Sequence, residues 1–108
     1  MEQYFKVAGT DLFIWLPEEV DHFNSEKIRR EADRILQSRN IRRIIFDFSR
    51  TQFMDSSGIA VVVTTMRRLK EYGGRLSIVN MPAQAYKVIS ATGLEKLIEI
   101  KCTNEVKR

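Results

Sequence analysis

Apolar positions change their period several times along the chain, and each change marks an element. Residues 3–7 alternate weakly, residues 8–11 have turn composition, and residues 12–16 form a compact apolar run. That pattern predicts a β-hairpin, closed by Pro17. Residues 18–24 form a polar connector, with Asn24 or Ser25 expected to cap a helix. Within it Ile28, Ala32, Ile35 and Leu36 recur at helical spacing on one face, and the pattern ends near Arg39-Asn40. Residues 41–48 are β-branched and aromatic, apolar on both faces, and predict a central strand. Residues 49–55 are expected as a loop.

From Ser56 the helical period returns, with Ile59, Val62, Val63, Met66 and Leu69 expected to face the core. Ala60, Val61 and Thr64 then fall on the opposite face, which is less polar than an idle helix surface. Gly73-Gly74 stops that helix. Residues 76–79 predict a short strand. Pro82 suits a helix start, Ala85, Val88 and Ile89 give an inner face, and Gly93 suits the helix end. Residues 97–100 are expected as a last strand or helix edge, and residues 101–108 as a polar tail. The order ββαβαβα implies a single α/β domain over residues 1–108, with a core over about 3–100. The expectation is a four- to five-stranded mixed sheet with helices mainly on one face, because β-α-β crossovers force parallel neighbours.

Composition agrees with a compact domain: of 108 residues, 44% are hydrophobic and 30% charged, enough to bury a core and remain soluble. No apolar run approaches the about 20 residues needed to span a bilayer. A cytoplasmic location without a membrane span is the expectation. The single cysteine, Cys102, excludes an internal disulfide and provides no metal cluster. The net charge of +4 raises nucleic-acid binding as a possibility. The basic residues occur as short pairs (Arg29-Arg30, Arg42-Arg43, Arg67-Arg68) without aromatic interleaving, which favours a solvated surface and no direct nucleic-acid contact.

Catalytic and cofactor motifs are missing. The only histidine is His22, and no Gly-x-Ser-x-Gly elbow, phosphate-binding glycine loop or metal-ligand spacing occurs. A non-enzyme without cofactor or metal is expected. The informative segment is Phe53-Met54-Asp55-Ser56-Ser57-Gly58-Ile59. It places two hydroxyls at the mouth of a helix, where free N–H groups and the positive dipole end favour an anion. Two readings stay open there: Asp and Ser as capping residues, or a serine that carries phosphate.

This segment resembles the signature of the STAS domain and, within it, of the anti-sigma factor antagonists. Val20-Asp21-His22 is similar to the segment before the family's first helix, and Ile41-Arg42-Arg43-Ile44-Ile45-Phe46-Asp47-Phe48 to its central strand. Gly73-Gly74-Arg75-Leu76 and Ala91-Thr92-Gly93-Leu94 resemble two further family segments. The usual Gly-Glu-[Leu/Ile]-Asp segment reads Pro17-Glu18-Glu19-Val20-Asp21 here, without the glycine.

The resemblance implies a bacterial partner-switching regulator of transcription, in sporulation or stress response. Ser56 takes the phosphoacceptor role, modified by an anti-sigma factor that is itself a serine kinase; ATP and Mg²⁺ belong to that partner. A metal-dependent serine phosphatase resets it. The unphosphorylated antagonist binds the anti-sigma factor and frees a sigma factor; the phosphorylated form is released. Asp21, His22, Asp55, Ser56, Ser57, Gly58, Ala60, Val61 and Thr64 are the expected partner-binding residues, on a monomer or weak dimer. The alternative implied by the same family is an accessory STAS domain of a signalling assembly or a lipid or anion transporter, never phosphorylated.

Overall fold

A computed structural model describes residues 4–93, 96 and 98–102. The hairpin forms as expected: β1 (Phe5–Ala8) pairs antiparallel with β2 (Asp11–Trp15), joined through Gly9 at φ 65°, a backbone that glycine adopts without a Cβ penalty. Then follow β3 (Glu19–Val20), α1 (His22–Ser38), β4 (Arg43–Asp47), β5 (Phe53–Met54), α2 (Ser56–Glu71), β6 (Arg75–Met81), α3 (Ala83–Ser90) and β7 (Glu99–Cys102). The main sheet has five strands in the order β1-β2-β4-β6-β7, parallel from β2 onwards. β3 and β5 form a separate two-stranded parallel ladder.

Register decides which face is buried. Leu12, Ile44 and Leu76 are aligned across β2, β4 and β6, and so are Ile14, Phe46 and Ile78. These side chains meet Ile28, Ala32, Ile35 and Leu36 of α1, Val61, Val62, Met66 and Leu69 of α2, and Ala85 and Ile89 of α3 in one core. The other face aligns Phe13, Ile45 and Ser77 in one row and Trp15, Asp47 and Val79 in the next. Phe13 and Trp15 stack there with ring centroids 6.1 Å apart. Helices therefore cover one face of a mixed sheet, as the sequence predicts. Ile45 is buried at 7% although it lies on that second face, which explains why β4 reads as apolar on both sides.

Several local expectations are corrected. α1 starts at His22, earlier than Asn24 or Ser25, because Asp21 takes the cap: its Oδ1 accepts from Asn24 N–H at 2.9 Å. Ser25 consequently lies inside the helix and is buried. Residues 18–24 and 49–55 are not wholly irregular, since each contributes a strand of the β3–β5 ladder. Val88 is 40% exposed and off the inner face, leaving Ala85 and Ile89 to pack. β6 is longer than expected and β7 reaches Cys102, two residues into the expected tail. The rest of that tail, with Leu94 and Leu97, lies outside the described residues.

Candidate functional site

The β3–β5 ladder builds the site. Glu19 pairs with Phe53 and Val20 with Met54, in parallel. Backbone bonds from Phe53 N–H to Glu18 O (3.0 Å) and from Asp55 N–H to Val20 O (3.2 Å) close the pairing. Each strand then runs into an aspartate and a helix. Asp21 caps α1 and Asp55 caps α2, so His22 and Ser56 occupy the same first position of two helices that start side by side. The helices stay adjacent, and Arg68 of α2 pairs with Asp33 of α1 at 2.9 Å.

Ser56 is exposed at the start of α2. Asp55 Oδ1 accepts from Ser57 N–H at 2.8 Å and the Asp55 carbonyl accepts from Gly58 N–H at 3.0 Å. The carboxylate thus fixes the first helical turn that carries the serine. Behind it, Thr51 is buried and donates its hydroxyl to Pro17 O at 2.9 Å, tying the loop after β4 to the end of β2. Asp47 Oδ1 accepts from Ser49 N–H at 2.8 Å and from Asn80 Nδ2 at 3.1 Å, which holds the neighbouring strand ends together.

The close approach that Gly58 permits is internal. A Cβ there would collide with the Met54 side chain and stand 3.1 Å from Val20 Cγ1, so the glycine lets α2 sit on the β3–β5 ladder. The helical phase of α2 also differs from the sequence expectation. Gly58, Val61, Val62, Thr65, Met66 and Leu69 are buried, while Ile59 and Val63 are half-buried. Val61 therefore belongs to the core face. The cause is α1, which covers a second flank of α2 and widens its buried stripe.

Of the expected partner residues, the structure brings His22, Ser57, Ala60, Val61 and Thr64 to one small groove between α1 and α2, with Ser25, Glu26 and Arg29 on its other wall. Its volume is about 130 Å³. Glu26 and Arg29 are ion-paired at 3.1 Å, and hydrogen bonding to the guanidinium holds the Glu26 carboxyl below its ordinary range. Sequence reasoning missed two exposed aromatics flanking the helix starts, Phe23 (66% exposed) and Phe53 (56%). The signal for Phe23 was present: it lies off the stripe of Ile28, Ala32 and Ile35. Lys27 Nζ sits 4.4 Å from its ring centroid. Among the described residues no group of three or more His, Cys, Asp or Glu is placed to hold a metal, and no helix is long and apolar enough to cross a membrane.

A mixed sheet covered by helices on one face, with paired helix starts at its edge, defines a small α/β domain. The chain belongs to the STAS domain family, whose model matches residues 4–107. It is 28% identical to an anti-sigma F factor antagonist of Paenibacillus polymyxa over 89 residues, covering 82% of this chain and 76% of that protein. It superposes on the structure of the anti-sigma factor antagonist SpoIIAA in its unphosphorylated form with a TM-score of 0.81 and 29% identity, covering 94% of this chain and 90% of that one. The Bacillus cell fate determinant SpoIIAA in its phosphorylated form gives a TM-score of 0.74 and 30% identity, covering 94% and 95%.

Proposed function

We propose that the protein is an anti-sigma factor antagonist whose binding is gated by phosphorylation at Ser56. The observation that carries this reading is the placement of Ser56: exposed, first in α2 and held by the Asp55 cap. Support comes from a relative with the same fold that exists in unphosphorylated and phosphorylated forms. In this reading the protein acts by binding in the cytoplasm, without catalysis of its own. Its partners are an anti-sigma factor with serine kinase activity and a metal-dependent phosphatase that resets Ser56.

The physical logic is short. A phosphate adds about −1.5 to −2 charges at pH 7. At a helix start the dipole and the first N–H groups tolerate that charge, so the fold survives. Asp21 and Asp55 already make the surroundings acidic, so an approaching partner must match or avoid the added charge. About 1.4 kcal/mol changes an affinity tenfold, and a phosphate inside an interface exceeds that easily. His22, Asp21, Ser57, Ala60 and Thr64 would form the contact surface around Ser56, with Phe23 and Phe53 as aromatic anchors of the kind that dominate interfaces. Gly58 and Val61 would shape that surface from beneath.

The test is incubation with ATP, Mg²⁺ and the anti-sigma factor kinases of the source genome, followed by intact-mass and peptide mapping. One added phosphate on Ser56, absent from Ser56→Ala, supports the reading. Phosphate on Ser57 would move the switch by one residue. No phosphorylation by any of those kinases, with no binding to them, would return the chain to the accessory-domain alternative.

A further inference from the structure

The net charge of +4 is not spread evenly over the fold. Strands β2, β4 and β6 run parallel, so the chain leaves the sheet repeatedly at one edge and re-enters at the other. At the exit edge, segments 17–21, 47–55 and 80–82 carry Glu18, Glu19, Asp21, Asp47 and Asp55 against Arg50, with Lys101 at the end of β7 as a second cation. At the entry edge, segments 9–11, 39–43 and 70–75, with Lys96 and Glu99 at the approach to β7, carry Arg39, Arg42, Arg43, Lys70, Arg75 and Lys96 against Asp11, Glu71 and Glu99. Arg43 is neutralised by Asp11 at 2.8 Å. Arg39, Arg42, Lys70 and Arg75 are exposed and form no ion pair among the described residues. The 17 residues of α1 separate the two ends by about 25 Å at ~1.5 Å per residue.

We propose that the basic end is a docking surface for the acidic, Ser56-bearing end of a second copy of this chain. The argument is charge complementarity: each copy carries both halves of the contact, at opposite ends of the same helices. A nucleic acid fits less well, because the acidic end repels a polyanion and the basic end exposes a single aromatic, Tyr72, rather than a row of rings on which successive bases stack. The contact is head-to-tail, so the basic end of the docked copy stays free for another. It is weak and salt-labile, since exposed charges on two surfaces are screened beyond about 8 Å at 0.15 M salt but only beyond about 30 Å at 0.01 M. Association covers the Ser56 end and so competes with any other protein that docks there. A phosphate on Ser56 adds charge of the matching sign and strengthens the contact. The self-association itself does not depend on the antagonist reading.

The experiment is sedimentation velocity of the full chain at about 0.01 M and about 0.5 M salt, chosen to bracket the screening length. The expected result is a weight-average mass that exceeds 12.6 kDa and rises with concentration at low salt, and returns to 12.6 kDa at high salt. Arg42→Glu with Arg75→Glu removes the basic end, and Glu18→Lys with Glu19→Lys removes the acidic end. Each double variant, checked for native circular dichroism, should be monomeric alone at low salt. Mixed, they should associate in equal proportions, because every end of one variant is acidic and every end of the other is basic. Ser56→Asp should raise the associated fraction. Wild-type protein that is monomeric at both salt concentrations overturns the proposal. So does association that persists in both double variants, or a mixture that does not pair. Low-salt binding of a short duplex DNA by a wild-type chain that stays monomeric would assign the basic end to a polyanion and overturn it too.

Discussion

Removing the Asp55 carboxylate tests how the fold holds Ser56, the proposed phosphoacceptor. Asp55→Ala deletes the 2.8 Å bond to Ser57 N–H and leaves a donor of the first turn of α2 unpaired. Loss of such a cap costs about 0.5–2 kcal/mol, with a central value near 1. α2 is 16 residues long, and its buried face anchors it to the core through Val62 and Leu69, so the helix persists and only its first turn loosens. For a domain of this size about 1 kcal/mol lowers the melting temperature by roughly 4 °C. Asp55→Asn keeps an acceptor at the cap and should stay within a few tenths of a kcal/mol of wild type. The assay is urea unfolding at neutral pH with the slope compared across the three proteins. A second readout is amide hydrogen exchange at Ser56 and Ser57, which should quicken in Asp55→Ala alone. If Asp55→Ala and Asp55→Asn unfold at the same midpoint as wild type, the cap does not hold the turn and the positioning argument for Ser56 fails.

Three further outcomes follow from the same structure. Ser25→Ala should stabilise the protein by about 1 kcal/mol in urea unfolding, because the Ser25 hydroxyl is buried without a partner among the described residues and such a group carries a desolvation penalty of about 1–3 kcal/mol. Gly58→Val should destabilise by at least about 1–3 kcal/mol through overpacking against Met54 and Val20, and should also slow Ser56 phosphorylation by displacing the start of α2; an unchanged midpoint would refute the packing account. Arg43 holds Asp11 below its ordinary value of 3.8, and Arg29 and Arg34 hold Glu26 and Glu31 below 4.5. Groups with lowered folded values contribute stability that is complete above the ordinary values and disappears as pH falls through the lowered ones. Unfolding midpoints should therefore fall below about pH 4.5, and Arg43→Gln should flatten that fall.

Much of the architecture was legible in the sequence because the core stripes are strong. Ile28, Ala32, Ile35 and Leu36 announce α1, and the apolar run around Ile44 and Phe46 announces the central strand. The glycine pair after α2 and Pro82 before α3 mark ends that the structure keeps. The β3–β5 ladder was not legible: two paired residues in each of two polar connectors carry no period, and their pairing is set by where α1 and α2 must start. The phase of α2 was misjudged at Val61 because one-face reasoning ignores a neighbouring helix, and α1 buries a second flank. Val88 was misplaced because the core covers only the Ala85 and Ile89 side of α3, while Val88 lines a groove shared with Gln52, Phe53 and Met54 and stays 40% exposed. At the site, Ser56 and Asp55 could be read from the motif. The matched position of His22 required knowledge that Val20 pairs with Met54. The charge polarity was hidden because arginines at residues 39, 42 and 75 are brought together only by parallel crossovers.

The most direct test of the central claim is isothermal titration of the anti-sigma factor kinase with wild-type protein before and after stoichiometric phosphorylation at Ser56. Phosphorylation should weaken binding at least tenfold, a difference of about 1.4 kcal/mol. Ser56→Ala should bind like the unphosphorylated protein and stay tight in the presence of ATP. Equal affinity of the phosphorylated and unphosphorylated proteins would contradict the account.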